Sequence, residues 1–126
     1  MRITNFKELE IWKLALNITK DIYDITSKTQ FLKDFGLRDQ VRRAVISISS
    51  NIVEGFEKNN PNKFIRYLRI TEGSVGEVRN QLEIAKVIGY ISENELLFID
   101  IKLINISKQI GGFIKYLNNH KKSVKL

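Results

Sequence analysis

Residues 40–55 read QVRRAVISISSNIVEG, a helix interior seeded with small polar side chains. Val41, Ala44, Val45, Ile48, Ile52 and Val53 supply the apolar spacing of a helix. Ser47, Ser49, Ser50, Asn51 and Glu54 stand where a plain bundle helix carries Leu or Ala. Ser and Asn compete for backbone hydrogen bonds and are poor mid-helix residues. Their presence asks for a reason in packing or in contact with a partner. The stripe Leu37, Val41, Ala44, Ile48, Ile52 and Phe56 extends this helix over 37–57.

The rest of the chain repeats the helical pattern. Before it, 6–29 reads as a helix opened by an Asn5–Glu8 capping box. Its stripes are Ile11, Ala15, Ile18, Tyr23 or Ile22, and Ile25, with Leu9, Trp12 and Leu16 alongside. After it, Asn60 caps a helix over 61–88 with Pro61 at the first position. Phe64, Leu68, Thr71, Val75, Val78, Leu82 and Ala85 form a heptad seam there, beside a second row that includes Tyr67, Ile70, Ser74, Ile84 and Ile88. Gly73 and Gly76 in its middle point to a close helix neighbour. Gly89 ends it, and Ser92 with Glu95 forms a capping box opening the last helix, 92–118. Leu96, Ile99, Leu103, Ile106, Ile110, Phe113 and Leu117 make the second full seam, before a basic tail at 119–126. Four long amphipathic helices with short connections predict an all-α, antiparallel up-down-up-down four-helix bundle, a single domain of 126 residues.

Bulk chemistry narrows the function. With no cysteine, disulfides, thiolate metal sites and a cysteine nucleophile are excluded, and a reducing cytoplasm suits the chain. No apolar run approaches a membrane span. The one histidine, His120, lies in the tail, so no Glu-x-x-His di-iron set and no Ser-His-Asp set can be assembled. The expectation is no enzyme, no metal and no cofactor. A net charge of +7 and a pI near 9.7 favour nucleic acid or another acidic partner.

The sequence resembles a known family at Gly36-Leu37 with Gln40 and Arg42-Arg43, at Ser47-Ile48 with Asn51-Ile52 and Glu54-Gly55, and at Gly73-Ser74 with Glu77. The opening Phe6-x-x-Leu9-x-x-Trp12 and the Gly89-Tyr90-Ile91 turn add to it. Together these look like the four-helix-bundle proteins encoded in intervening sequences of bacterial 23S ribosomal RNA. That family is similar in fold to the accessory variability protein of diversity-generating retroelements, a basic homopentamer that binds nucleic acid and a reverse transcriptase. The resemblance implies a ring oligomer, with a pentamer favoured.

Two groups of residues are candidates. Gln40, Arg43, Ser47, Asn51 and Glu54, with Ser74 and Glu77, read as a structural polar layer or subunit contact, because buried polar groups need partners. The competing reading has Ser47 and Asn51 gripping RNA. The stretch 58–86 carries six basic and three acidic residues. In an up-down bundle its start shares a pole with Arg2, Lys7, Lys115, Lys121, Lys122 and Lys125. Lys58, Lys63, Arg66, Arg69, Lys121 and Lys122 are therefore the expected nucleic-acid contacts, RNA favoured, with Tyr67 placed to stack on an unpaired base. The alternative is a homo-oligomeric scaffold that docks an acidic protein such as a reverse transcriptase.

Overall fold

The computed structural model describes residues 3–121, and among them helix is the only regular structure. A short 3-10 turn at Phe6–Glu8 precedes α1 (Glu10–Thr26), α2 (Thr29–Lys33), α3 (Phe35–Glu57), α4 (Pro61–Val87) and α5 (Glu93–Asn119). α3 packs against α1 and α4, and α5 closes the square against the same two helices. The four long helices form the up-down-up-down bundle that the heptad seams require.

The first predicted helix is not continuous. The Asn5–Glu8 capping box forms, but it closes only the 3-10 turn. Leu9 then adopts an extended backbone (φ −73°, ψ 125°) and is buried, and α1 starts afresh at Glu10. Phe6 meets Trp12 edge-to-face at 5.3 Å across the break, and Trp12 is half-buried there. At the other end, the Thr26 and Ser27 hydroxyls turn back onto the carbonyls of Ile22 and Tyr23, each at 2.7 Å. Arg42 Nε donates to Thr26 Oγ1 at 2.8 Å, and α1 ends there. The connection contains α2, which buries Phe31 completely. Asp34 caps α3 by accepting from the Leu37 amide at 3.1 Å, so α3 begins two residues before the expected Leu37. Ile22, not Tyr23, faces the core.

The later helices follow their signals closely. Asn60 caps α4 through the Lys63 amide at 3.1 Å. Gly89 takes the left-handed conformation (φ 89°) that ends the helix before Tyr90. Both arms of the Ser92–Glu95 box are made, at 3.1 and 2.8 Å, and its staple residues Ile91 and Leu96 are buried. The α4 seam is buried throughout. On α5, Ile114 is buried where Phe113 was expected, and Phe113 is half-buried. Ile70, Ile84 and Ile88, in the second row of α4, remain exposed.

The close helix approach is not at Gly73 or Gly76. A Cβ at either would meet nothing within 4 Å. It is at Gly55, where a Cβ would come within 2.6 Å of Tyr67 Cβ and 3.0 Å of Phe64 Cδ1. The glycine lets α3 and α4 touch backbone to side chain near their shared end.

Candidate nucleic-acid interface

The N-terminal half of α4 is held on both sides. Phe64 packs edge-to-face on Phe56 of α3 at 6.1 Å and on Phe113 of α5 at 5.4 Å. Tyr67 sits over Gly55. With those positions facing inward, Lys63, Arg66 and Arg69 are exposed on the opposite side.

Ion pairing divides α4 into two halves. In the C-terminal half, Arg79 bonds both carboxylate oxygens of Asp100 at 2.7 and 3.2 Å, and Lys86 pairs with Glu93 at 2.5 Å. The hydrogen bond that each cation donates to its carboxylate partner raises the pKa of that cation. In the N-terminal half, Lys63, Arg66 and Arg69 make no ion pair among the described residues. The first turn of α4 carries no acidic residue. Backbone dipoles already make the first turn positive, and Lys63, its third residue, adds to that charge. An anion would relieve the repulsion.

The other predicted contacts are distributed unevenly. Lys58 lies over the Tyr67 ring at 5.7 Å, and the ring is half-buried, so part of the stacking surface is already in use. Lys121 is exposed just beyond α5, on the same end, because Phe113 ties the last turns of α5 to the first turn of α4. Lys122, like Arg2 and Lys125, lies outside the described residues. His120 stacks on Tyr116 at 4.4 Å.

The predicted polar layer separates into three parts. Ser47 and Ser74 meet across the α3–α4 boundary, Oγ to Oγ at 2.7 Å. Asn51 instead donates to the Ser47 carbonyl of its own helix at 2.8 Å. Glu54 is exposed and lines a shallow groove with Ser49, Ser50, Val53 and Glu57, away from Ser74 and Glu77. Gln40, Arg43 and Glu77 do converge, lining an open cleft of about 430 Å³ with Ser47, Ser74 and Gln81. Arg43 and Glu77 face the same cleft without pairing. Gln81 is the residue sequence reasoning missed. It is only 8% exposed, and its Oε1 has no hydrogen-bond partner. The signal was present, since Gln81 lies seven residues after Ser74 and so two turns above it on the same face.

Among the described residues no three His, Cys, Asp or Glu side chains gather to hold a metal ion, and no helix is long and apolar enough to cross a membrane. The family model for 23S rRNA-intervening sequence proteins matches residues 7–112. The chain belongs to that family. A similar solved structure is a protein of unknown function from the S23 ribosomal protein family of Bacteroides thetaiotaomicron. It is 25% identical, with a TM-score of 0.76 over 83% of this chain and 98% of that one. No curated protein matches the chain. The span shared with the 23S rRNA-intervening sequence proteins includes both the unpaired cations of α4 and the α3–α4 cleft. It stops short of Lys115 and Lys121.

Proposed function

We propose that this 23S rRNA-intervening sequence protein is a non-enzymatic, cytoplasmic RNA-binding protein that works as a ring of identical copies, a pentamer favoured. One observation carries the reading. Lys63, Arg66 and Arg69 form a cationic face without ion pairs on the N-terminal half of α4, while Arg79 and Lys86 of its other half are paired. Phosphate oxygens are the chemistry that face suits, and arginine engages them with two parallel N–H bonds. Family membership supports ribosomal RNA as the source. The exposed Ile70, Ile84 and Ile88 near α4 and the exposed apolar residues of α5 support self-association.

The test is a salt titration of binding to a labelled stem-loop RNA from a 23S intervening sequence. Affinity should fall linearly in log salt. Arg66→Ala/Arg69→Ala should weaken binding to all sequences alike and flatten the slope by about one unit for each phosphate left without its arginine. The variant should keep its melting temperature and its mass by light scattering. Unchanged affinity and slope would remove this face from RNA binding. An affinity for RNA that is absent, beside retained self-association, would favour the scaffold reading with an acidic protein as partner.

A further inference from the structure

We propose that the cleft between α3 and α4 is a pocket for a guanine base, presented by RNA or by a free nucleotide. RNA as the source rests on the reading above, and the pocket itself does not. Ser47 and Ser74 fix the register of the two antiparallel helices through their 2.7 Å contact. One turn further along, Arg43 of α3 comes level with Glu77 of α4, and at the next turn Gln40 comes level with Gln81. These residues line a trough of about 430 Å³. From the serines to the glutamines it runs for about 10 Å. Its volume lies in the range of ligand sites, roughly 300–1,000 Å³. The remaining lining residue, Ala44, is as small as the serines, and the trough stays open.

The polar groups along it are not engaged with each other. Arg43 and Glu77 are exposed, and neither enters an ion pair among the described residues. Gln81 is buried, and its Oε1 is shut away from solvent without a donor. Buried acceptors without partners are rare. The last torsion of glutamine is soft, so a donor entering the trough can draw that oxygen toward it. A guanidinium offers two parallel donors and a carboxylate two acceptors. Their complement is a planar molecule with two adjacent acceptors on one edge and two adjacent donors on another. Guanine has both, O6 and N7 on the first edge and N1–H and the N2 amino group on the second. Adenine sets a donor beside an acceptor on each edge, cytosine has a single donor group, and uracil holds one N–H between two carbonyls. Guanine alone among the bases satisfies Arg43 and Glu77 together, with one N2 hydrogen left for Gln81.

The surroundings favour a nucleotide over another polar ligand. Arg69, Gly73 and Glu77 follow each other at steps of four on α4. They make one strip about 12 Å long. Gly73 in its middle is exposed, and a Cβ there would meet nothing within 4 Å. A base in the trough therefore leads its sugar and phosphate over bare helix to Arg69.

The test has two arms. Calorimetric titration compares GMP, IMP, AMP, CMP and UMP, and filter binding compares stem-loop RNAs that differ only in one unpaired loop base, guanine or adenine. The wild type should prefer guanine by about 10–100-fold, the discrimination of a bidentate base contact. IMP, which lacks the N2 amino group, should bind more weakly than GMP. Glu77→Gln should erase the preference for guanine at an unchanged melting temperature. Gln81→Leu should weaken GMP binding without lowering the melting temperature, whereas a purely structural Gln81 would lower it. Preference in the RNA arm alone makes RNA the source, and preference for GMP alone makes it a free nucleotide. No preference in either arm, or one that survives Glu77→Gln, overturns the pocket. RNA bound equally whatever its loop base, with no preference for GMP, leaves the phosphate-binding face standing without the pocket. GMP bound selectively beside no affinity for RNA leaves the pocket and removes the RNA reading.

Discussion

Replacing Gly55 by alanine tests the tightest contact in the fold. The added methyl would lie 2.6 Å from Tyr67 Cβ, 3.0 Å from Phe64 Cδ1 and 3.4 Å from the Phe64 carbonyl oxygen. Carbon atoms in contact sit about 3.5–4.0 Å apart, so about 1 Å must open between α3 and α4. A Cβ cannot rotate out of the way as a side-chain tip can, so the helices themselves have to shift. Overpacking of this kind costs about 1–3 kcal/mol. The gain in helix propensity returns about 1 kcal/mol. The net expectation is a loss of about 0–2 kcal/mol, centred on about 1 kcal/mol, or a melting temperature lower by about 4 °C in a chain of this size. Gly112→Ala is the matched control. It is mid-helix, exposed and open within 4 Å, and should gain about 0.5–1 kcal/mol. Thermal unfolding followed by far-UV circular dichroism, at one protein concentration, compares the three proteins. If Gly55→Ala melts at or above the wild type, the α3–α4 contact is not tight and the placement of the α4 cations loses its support.

Two further outcomes follow from the caps. The Asp34 carboxyl is held below its ordinary pKa, first by the Leu37 amide and then by the Tyr90 hydroxyl, and the same hydroxyl–carboxylate bond raises Tyr90. The lowered Asp34 value means its contribution is complete above the ordinary aspartate pKa and lost as pH falls through the folded value. The raised Tyr90 value means its contribution is complete below the ordinary tyrosine pKa and lost as pH rises through the folded value. Melting temperature against pH should therefore show an acid loss that Asp34→Asn reduces and an alkaline loss that Tyr90→Phe reduces. Ser92→Ala removes the acceptor for the Glu95 amide and should cost about 1 kcal/mol in a denaturant titration, with the slope unchanged.

Periodicity made the bundle legible, because a long helix must bury one stripe and the stripe is written in the spacing. It failed where burial and spacing point different ways. Leu9 fits the helical spacing of Trp12 and Leu16, yet it is buried through an extended backbone, while Leu16 stays exposed. α2 is too short to carry a period, and only the burial of Phe31 explains it. Glycine was legible as a signal of close approach but not as to which glycine. Gly55 meets α4 because Phe64 and Tyr67 happen to face it, a fact of helix pairing that no local spacing contains. In the candidate site, the Ser47–Ser74 pairing was readable because small polar residues in two adjacent helices must find each other. Asn51 does not join that pairing, because its amide has a nearer acceptor, the carbonyl one turn back.

Gly73 and Gly76 have no steric reason within a single copy, because a Cβ at either meets nothing within 4 Å, and each glycine costs about 1 kcal/mol against alanine. They share an exposed outer face of α4 with Arg66, Arg69 and Asn80. No carboxylate of the described residues pairs with the two arginines. Under the proposed RNA-binding reading the two oddities have one cause, since bare helix beside unpaired arginines is the space a phosphate backbone needs to lie close to them.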